Sequence, residues 1–262
     1  MAVQSRAFRC GGVVPWAMPG VGAVATQSVA ERSYGPLGLE LLRAGKTPEQ
    51  ALAALVAADP ESEVRQVAIL AADGAVAVHT GAACIPEAGH RTGEGYSVQA
   101  NMMRNDRVWP AMAEAFEGAR GTLARRLLAA LDAAEAAGGD WRGRQAAGLL
   151  VVPAEGRPWE TVIDLRVDDH PDPLQELSRL LDLDEGYNAI RQVDQRAEAA
   201  RAAGMADLDV RLAEILDAAH ADDVERAREL LAPLLAAEPR WAYYVRVLGS
   251  RGLIPHADEL AE

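Results

Sequence analysis

Residues 20–58 read GVGAVATQSVAERSYGPLGLELLRAGKTPEQALAALVAA. An apolar strand, Val21–Gln27, runs into two helices with no strand between them. The helices are predicted over Tyr34–Ala44 and Pro48–Ala58, the second with Thr47 as N-cap ahead of Pro48 and Glu49. A doubly wound parallel sheet inserts single helices between strands, so a helical pair at this point argues against one. Outward from this stretch, Val13–Trp16 reads as a preceding strand. Val64–Ala71 and Ala75–Thr80 flank Ala72-Asp73-Gly74, a hairpin turn. Glu94–Met102 is a further strand after the Gly-rich loop Pro86–Gly95. A second helical pair follows, Asp106–Glu117 and Thr122–Ala137, closed by Gly138-Gly139. Gln145–Val152 and Trp159–Val167 make another pair of strands, and Leu174–Leu181 a last helix. This order predicts an α+β fold in which antiparallel sheets pack on each other and helical pairs cover them outside.

The pattern changes near residue 184, which divides the chain into residues 1–183 and 184–262. Beyond it only helices are predicted: Glu185–Ala203, Leu208–Ala219, Asp223–Ala237 and Arg240–Leu248. Pro233 falls inside the third of these and is expected to kink or split it. Val224–Ala237 followed by Pro239 and Trp241 resembles half of a tetratricopeptide hairpin, but no second copy stands at the usual spacing of about 34 residues. The tail is read as a small helical appendage.

Composition narrows the function. The chain has 262 residues, half of them apolar, and acidic residues outnumber basic ones 39 to 26 for a formal charge of −13. Such a surface repels phosphate backbones and anionic headgroups, which argues against nucleic-acid and membrane partners. Cys10 and Cys84 form no CxxC pair and no disulfide framework, so neither structural zinc nor any other metal is expected. Residues 10–25 follow Arg6 and Arg9 and superficially resemble a signal peptide. Pro15, Pro19, Gly20 and Gly22 would break the helix such a segment needs, so strands and a cytoplasmic location are expected. Sheet edges and an apolar helical layer are compatible with a homodimer.

No nucleophile elbow, phosphate-binding lysine loop, zinc-protease motif or dinucleotide fingerprint is present, and no cofactor is expected. Polar residues gather instead at strand ends and in Gly-rich loops. Thr26-Gln27-Ser28 closes one strand, His79-Thr80-Gly81 another, and His90 lies in the loop beyond. Gln99-Ala100-Asn101 alternates polar residues along one face of a strand. Gly138–Gln145 concentrates Asp140 and Arg142 among glycines, where arginine can clamp a carboxylate. Each has a plain structural reading beside the functional one. Strand-end hydroxyls satisfy turns, paired amides satisfy each other, and Asp140 with Arg142 makes a local ion pair.

Several of these segments, in fixed order, resemble one bacterial family. Gly-Val-Gly-Ala-Val-Ala-Thr-Gln (20–27), Tyr-Gly-Pro-Leu-Gly-Leu (34–39), Val-Arg-Gln-Val (64–67) and His-Thr-Gly (79–81) carry its first half. Ala-Gly-His (88–90), Val-Gln-Ala-Asn-Met-Met (98–103), Gly-Gly-Asp-Trp-Arg-Gly-Arg-Gln (138–145) and Leu-Arg-Val-Asp-Asp-His-Pro-Asp-Pro (165–173) carry its second. The family is that catalogued as domain of unknown function 1028, and the resemblance implies a four-layer αββα sandwich of the N-terminal-nucleophile (Ntn) hydrolase type. Two departures are Ala100, where relatives tend to have Gly, and Ala146, where they tend to have Ser.

An Ntn enzyme uses the first residue's α-amino group as base and its Thr, Ser or Cys side chain as nucleophile. Removal of Met1 would expose Ala2, which has no nucleophilic atom, so either translation starts upstream or the mechanism is absent. Cleavage after Ala25 would free Thr26 as a new terminus at the expense of a core strand. Two functions are therefore weighed. One is hydrolysis of an amide-type C–N bond of a small molecule, with Thr26, His79 and Asn101 as catalytic candidates. Gln27, His90, Gln99, Asp140 and Arg142 would then hold substrate, Asn101 stabilising an oxyanion and Arg142 a carboxylate. The other is a non-catalytic small-molecule-binding or scaffold protein.

Overall fold

The structure, a computed structural model, describes residues 1–190 and 195–262. It is a mixed α+β chain with antiparallel sheets, divided into two compact units, Met1–Ser178 and Arg179–Glu262. Among the described residues no helix is long and apolar enough to cross a membrane.

The predicted strand–helix–helix–strand run forms the centre of the first unit. Strand β1 is Ala2–Ser5, β2 Pro15–Met18 and β3 Gly22–Ser28; helices α1, Tyr34–Arg43, and α2, Pro48–Ala58, follow. Strands β4, Arg65–Ala71, and β5, Val76–Thr80, close an antiparallel sheet of order β2-β3-β4-β5. Thr47 caps α2 as expected: its side chain accepts from the Gln50 N–H, and the Gln50 side chain reciprocates. The period of two sorts this sheet into faces. Val24, Val67, Ile69 and Ala77 lie against Leu39, Leu42, Leu52 and Leu55 of α1 and α2. Ala25 and Ala68 face the other way, with Val14, Met1, Val3 and Val78. Helix α1 comes in close because Gly35 has no side chain, since a Cβ there would overlap the Trp16 indole.

Strands β6, Gly89–Gly93, and β7, Tyr96–Ala100, form a separate hairpin. Helices α3, Val108–Gly118, and α4, Leu123–Ala136, pack on each other, α3 also against β6 and β7. Strands β8, Ala146–Val151, and β9, Ile163–Val167, join β1 in a sheet of order β1-β8-β9, and α4 packs on β1 and β8.

Three expectations need correction. Residues 10–12 form a 3-10 turn rather than leading directly into a strand, so β2 begins at Pro15. The loop Pro86–Gly95 contains β6, whose polar His90-Arg91-Thr92 gave no apolar pattern but whose backbone pairs along β7. The helix expected over Leu174–Leu181 does not stop at Leu181, because nothing in the following residues breaks it; α5 spans Pro173–Ile190. The expected helix over Glu185–Ala203 falls partly on residues 191–194, outside the described residues; α6, Arg196–Ala202, lies beyond them.

The second unit continues with α7, Asp207–His220, α8, Val224–Ala237, α9, Trp241–Ser250, and α10, Ala257–Leu260. Its core gathers Ile215, Ala219, Ala227, Leu231, Val245 and Leu260. Helix α8 runs through Pro233 without being split, held by Ala227 and Leu231 in this core.

Among the described residues the buried polar or charged side chains are Thr26, Arg65, Gln66 and Asp140. Arg65 ties loops to the central sheet. Its guanidinium donates to Asp59 Oδ2 at 2.8 Å, Glu61 Oε2 at 2.9 Å and the Val29 carbonyl at 2.9 Å. The Tyr34 hydroxyl also donates to Asp59, and the Arg65 guanidinium holds the Asp59 carboxyl down at about 2. Asp59→Asn leaves buried Arg65 with only the exposed Glu61 as its charge partner and is expected to cost about 2 kcal/mol, read by urea unfolding. The Asp59 contribution is complete above its ordinary value of 3.8 and is lost as pH falls toward 2. Acid unfolding of the Asp59→Asn variant should therefore lack this component.

Candidate functional site

A cavity of about 610 Å³ lies within the first unit, between β3 and β1, with β7, α3, α4 and the segment Gly139–Arg142 around it. Its walls are mainly apolar: Ala23, Ala25 and Leu70 from the central sheet, Val98 and Met112 from β7 and α3, Leu131 from α4 and Leu150 from β8. The volume falls in the range of ligand pockets, roughly 300–1,000 Å³.

At one side the wall is polar, and it is built around a residue that does not line the cavity. Gln66 is fully buried in β4, opposite Gln27 of β3 and Thr80 of β5. Its Nε2 donates to the carbonyls of Ala100 at 2.9 Å and Gly89 at 3.1 Å and lies 3.0 Å from Thr80 Oγ1. Its Oε1 accepts from Gln27 Nε2 at 2.8 Å and Asn101 Nδ2 at 3.1 Å. Gln27 and Asn101 line the cavity, as does Gln99, whose Oε1 accepts from the Ser97 hydroxyl. Thr80 Oγ1 also lies 2.9 Å from His90 Nδ1, so His90 joins the far end of the same network. Partial burial and the neighbouring His79 hold His90 below its ordinary pKa, which suits a neutral ring accepting the Thr80 proton.

Three of the sequence candidates thus meet through one glutamine: Gln27, Asn101 and, by way of Thr80, His90; Gln99 reaches the network only through its carbonyl, 3.5 Å from Gln27 Nε2. One N–H of the Asn101 amide is spent on Gln66. Gln66 itself was missed among the candidates. Its signal was a glutamine at the head of the apolar run Val67–Ala71, where a buried amide needs partners.

Two candidates lie elsewhere. Thr26 belongs to the β3 face turned toward α1 and α2, and its hydroxyl donates to the Glu31 carbonyl at 2.9 Å. His79 sits opposite Val67 on that same face, its Nε2 2.9 Å from the Ser62 carbonyl oxygen. Neither lines the cavity.

Asp140 and Arg142 do line it, as an ion pair. Arg142 Nε and Nη2 donate to the two Asp140 oxygens at 3.0 and 2.6 Å, and the Arg142 backbone N–H adds a third bond. The Nε–Nη2 edge of the guanidinium is thereby occupied by Asp140. Cys10 also lines the cavity, and burial pushes its thiol up to about 12, so it stays protonated at neutral pH.

The polar wall is strained at two points. Ser28 and Met102 both line the cavity with left-handed backbone, φ 69° and 59°, where side chains other than glycine cost about 1 kcal/mol or more. In a regular strand Ser28 would share the face of Thr26; the left-handed turn re-aims it. The Ser28 hydroxyl is buried with no hydrogen-bond partner, and so is Nε2 of Gln4 on the β1 side.

The model of the family described as "Family of unknown function (DUF1028)" matches residues 1–177. A crystal structure of a Silicibacter pomeroyi protein assigned to the same family is similar, with 32% sequence identity and a TM-score of 0.64. The likeness covers 76% of this chain and 82% of that one. A search of curated proteins finds no match.

Removal of the central amide should be felt across the unit. Gln66→Leu leaves the Gly89 and Ala100 carbonyls without their donor and is expected to cost about 3 kcal/mol in urea unfolding. Cys10 should resist iodoacetamide at pH 7.5 in the folded protein and react once urea exposes it, as read by peptide mass mapping.

Proposed function

Because the chain belongs to the DUF1028 family of unknown function, we propose its role from the cavity: the first unit binds a small, largely apolar and uncharged molecule. The observation that carries this reading is the amide wall, Gln27 and Asn101 held by buried Gln66, set into an otherwise apolar cavity of ligand size. Neutral hydrogen-bonding groups at a fixed place in an apolar space give orientation without demanding a charge. The strained Ser28 and Met102 on the same wall support it, since backbone strain concentrates where a site needs a particular geometry.

Binding without chemistry is the version favoured. Amide hydrolysis through a covalent intermediate on a serine or cysteine needs a hydroxyl or thiol activated by a base or by a lowered pKa. Among the described residues lining the cavity, no serine or cysteine side chain is hydrogen-bonded to a histidine or carboxylate, and the Cys10 thiol is shifted the wrong way. The fold reading that accompanies this proposal is the four-layer αββα sandwich of the Ntn type. Its support is α1 and α2 on one face of the central sheet, Met1 and Val3 of the β1 region against the other, and α4 on β1 and β8. A cytoplasmic setting accords with Cys10 and Cys84 both being free.

The test is direct. Nile red, an uncharged apolar dye, should bind saturably with one site per chain and fluoresce as in an apolar solvent. Ala23→Trp places an indole on the cavity wall and should weaken that binding at least about tenfold while far-UV circular dichroism stays unchanged. Unchanged dye affinity in a folded Ala23→Trp protein would show that the cavity is not the binding site.

A further inference from the structure

The amide wall has a definite hydrogen-bond polarity. Backbone carbonyls can only accept, so the Gln66 face against the Gly89 and Ala100 carbonyls must be its NH2. Its oxygen is thereby aimed at Gln27 and Asn101, and both must present their nitrogens to it. This removes the usual ambiguity of amide orientation along the chain of contacts. Each amide keeps one further N–H, Gln27's lying 3.5 Å from the Gln99 carbonyl, and beside it a carbonyl oxygen, Oε1 or Oδ1, that accepts no hydrogen bond from a described residue. The same cavity holds a buried donor without a partner, the Ser28 hydroxyl, and a second in Gln4 Nε2.

Resting on the binding role proposed above, we infer that the ligand carries a primary carboxamide on an apolar body, and that the cavity rejects the matching carboxylate. The ligand NH2 meets the two acceptor oxygens, and its carbonyl takes the proton of Ser28. A primary ammonium would also offer N–H donors, but the carboxylate present, Asp140, is already neutralised by Arg142, and a lone cation in an apolar space is strongly disfavoured. A carboxylate has no N–H for the two carbonyl oxygens of Gln27 and Asn101, and the Nε–Nη2 edge of Arg142 is engaged by Asp140, so its charge is left without a full counter-charge in an apolar space. Gln66 touches no ligand in this scheme; it is a positioning residue that fixes which atoms the wall displays.

Isothermal titration of the full chain with a matched series tests this: phenylbutanamide, its N,N-dimethyl derivative, phenylbutyrate and methyl phenylbutyrate. The expected order places phenylbutanamide first, with the dimethylamide and the acid anion each weaker by about tenfold or more. Equal affinity across the series, or preference for the acid, overturns the carboxamide inference while leaving the binding role standing. Failure of all four, the methyl ester included, overturns the binding role and the inference with it. Near-isosteric Gln27→Met and Asn101→Leu should lower the amide-over-ester affinity ratio by about tenfold, whatever their effect on ester binding itself. A purely structural role would weaken both ligands alike. Should either variant fail to fold, the series on the unaltered chain decides the matter.

Discussion

One buried carboxamide holds the first unit's cavity together. Gln66 reaches from β4 to β3 through Gln27, to β5 through Thr80, and to β6, β7 and the residue after β7 through Gly89, Ala100 and Asn101. The central sheet and the β6–β7 hairpin share no backbone ladder, and these side-chain bonds fix the hairpin against β4. A fully buried amide is tolerable only when its donors and acceptor are all matched. Any displacement of the hairpin would leave several groups without partners at once. The position of the cavity's polar wall is therefore tied to the same contacts that hold the hairpin.

The helical pair after β3, the hairpin turn at Asp73-Gly74 and the N-cap at Thr47 were legible because each rests on a local rule. They are, respectively, helical apolar spacing, a glycine at φ 92° and a capping box. Strand β6 was not legible, since its exposed polar residues acquire strand geometry only from β7. Helix α5 was cut short because the change in composition near residue 184 falls within a helix rather than at its end.

The site was legible in part and for a different reason. Gln27, Gln99 and Asn101 were recognisable as polar residues among apolar strand neighbours, but which face each takes is a question of register. Thr26 illustrates the difficulty. One position from Gln27, it belongs to the opposite face, as the period of two requires. Ser28, which the same rule would place beside Thr26, reaches the cavity only because its backbone turns left-handed. No sequence pattern announces that turn at a serine.

The chain's charge and the cavity's chemistry are separate matters. Formal charge of −13 belongs to a surface rich in carboxylates, whereas the cavity wall pairs its one aspartate with an arginine two residues away. Asp140 is buried and Arg142 part-exposed, so the pair presents a dipole to the cavity rather than a free charge. With charge cancelled there, the selectivity proposed for the cavity rests on the neutral amides, whose orientation Gln66 dictates. Long-range attraction for a charged ligand gains little from such a wall, while discrimination between an N–H donor and an oxygen acceptor gains a great deal, because each wrong pairing leaves a buried polar atom unsatisfied.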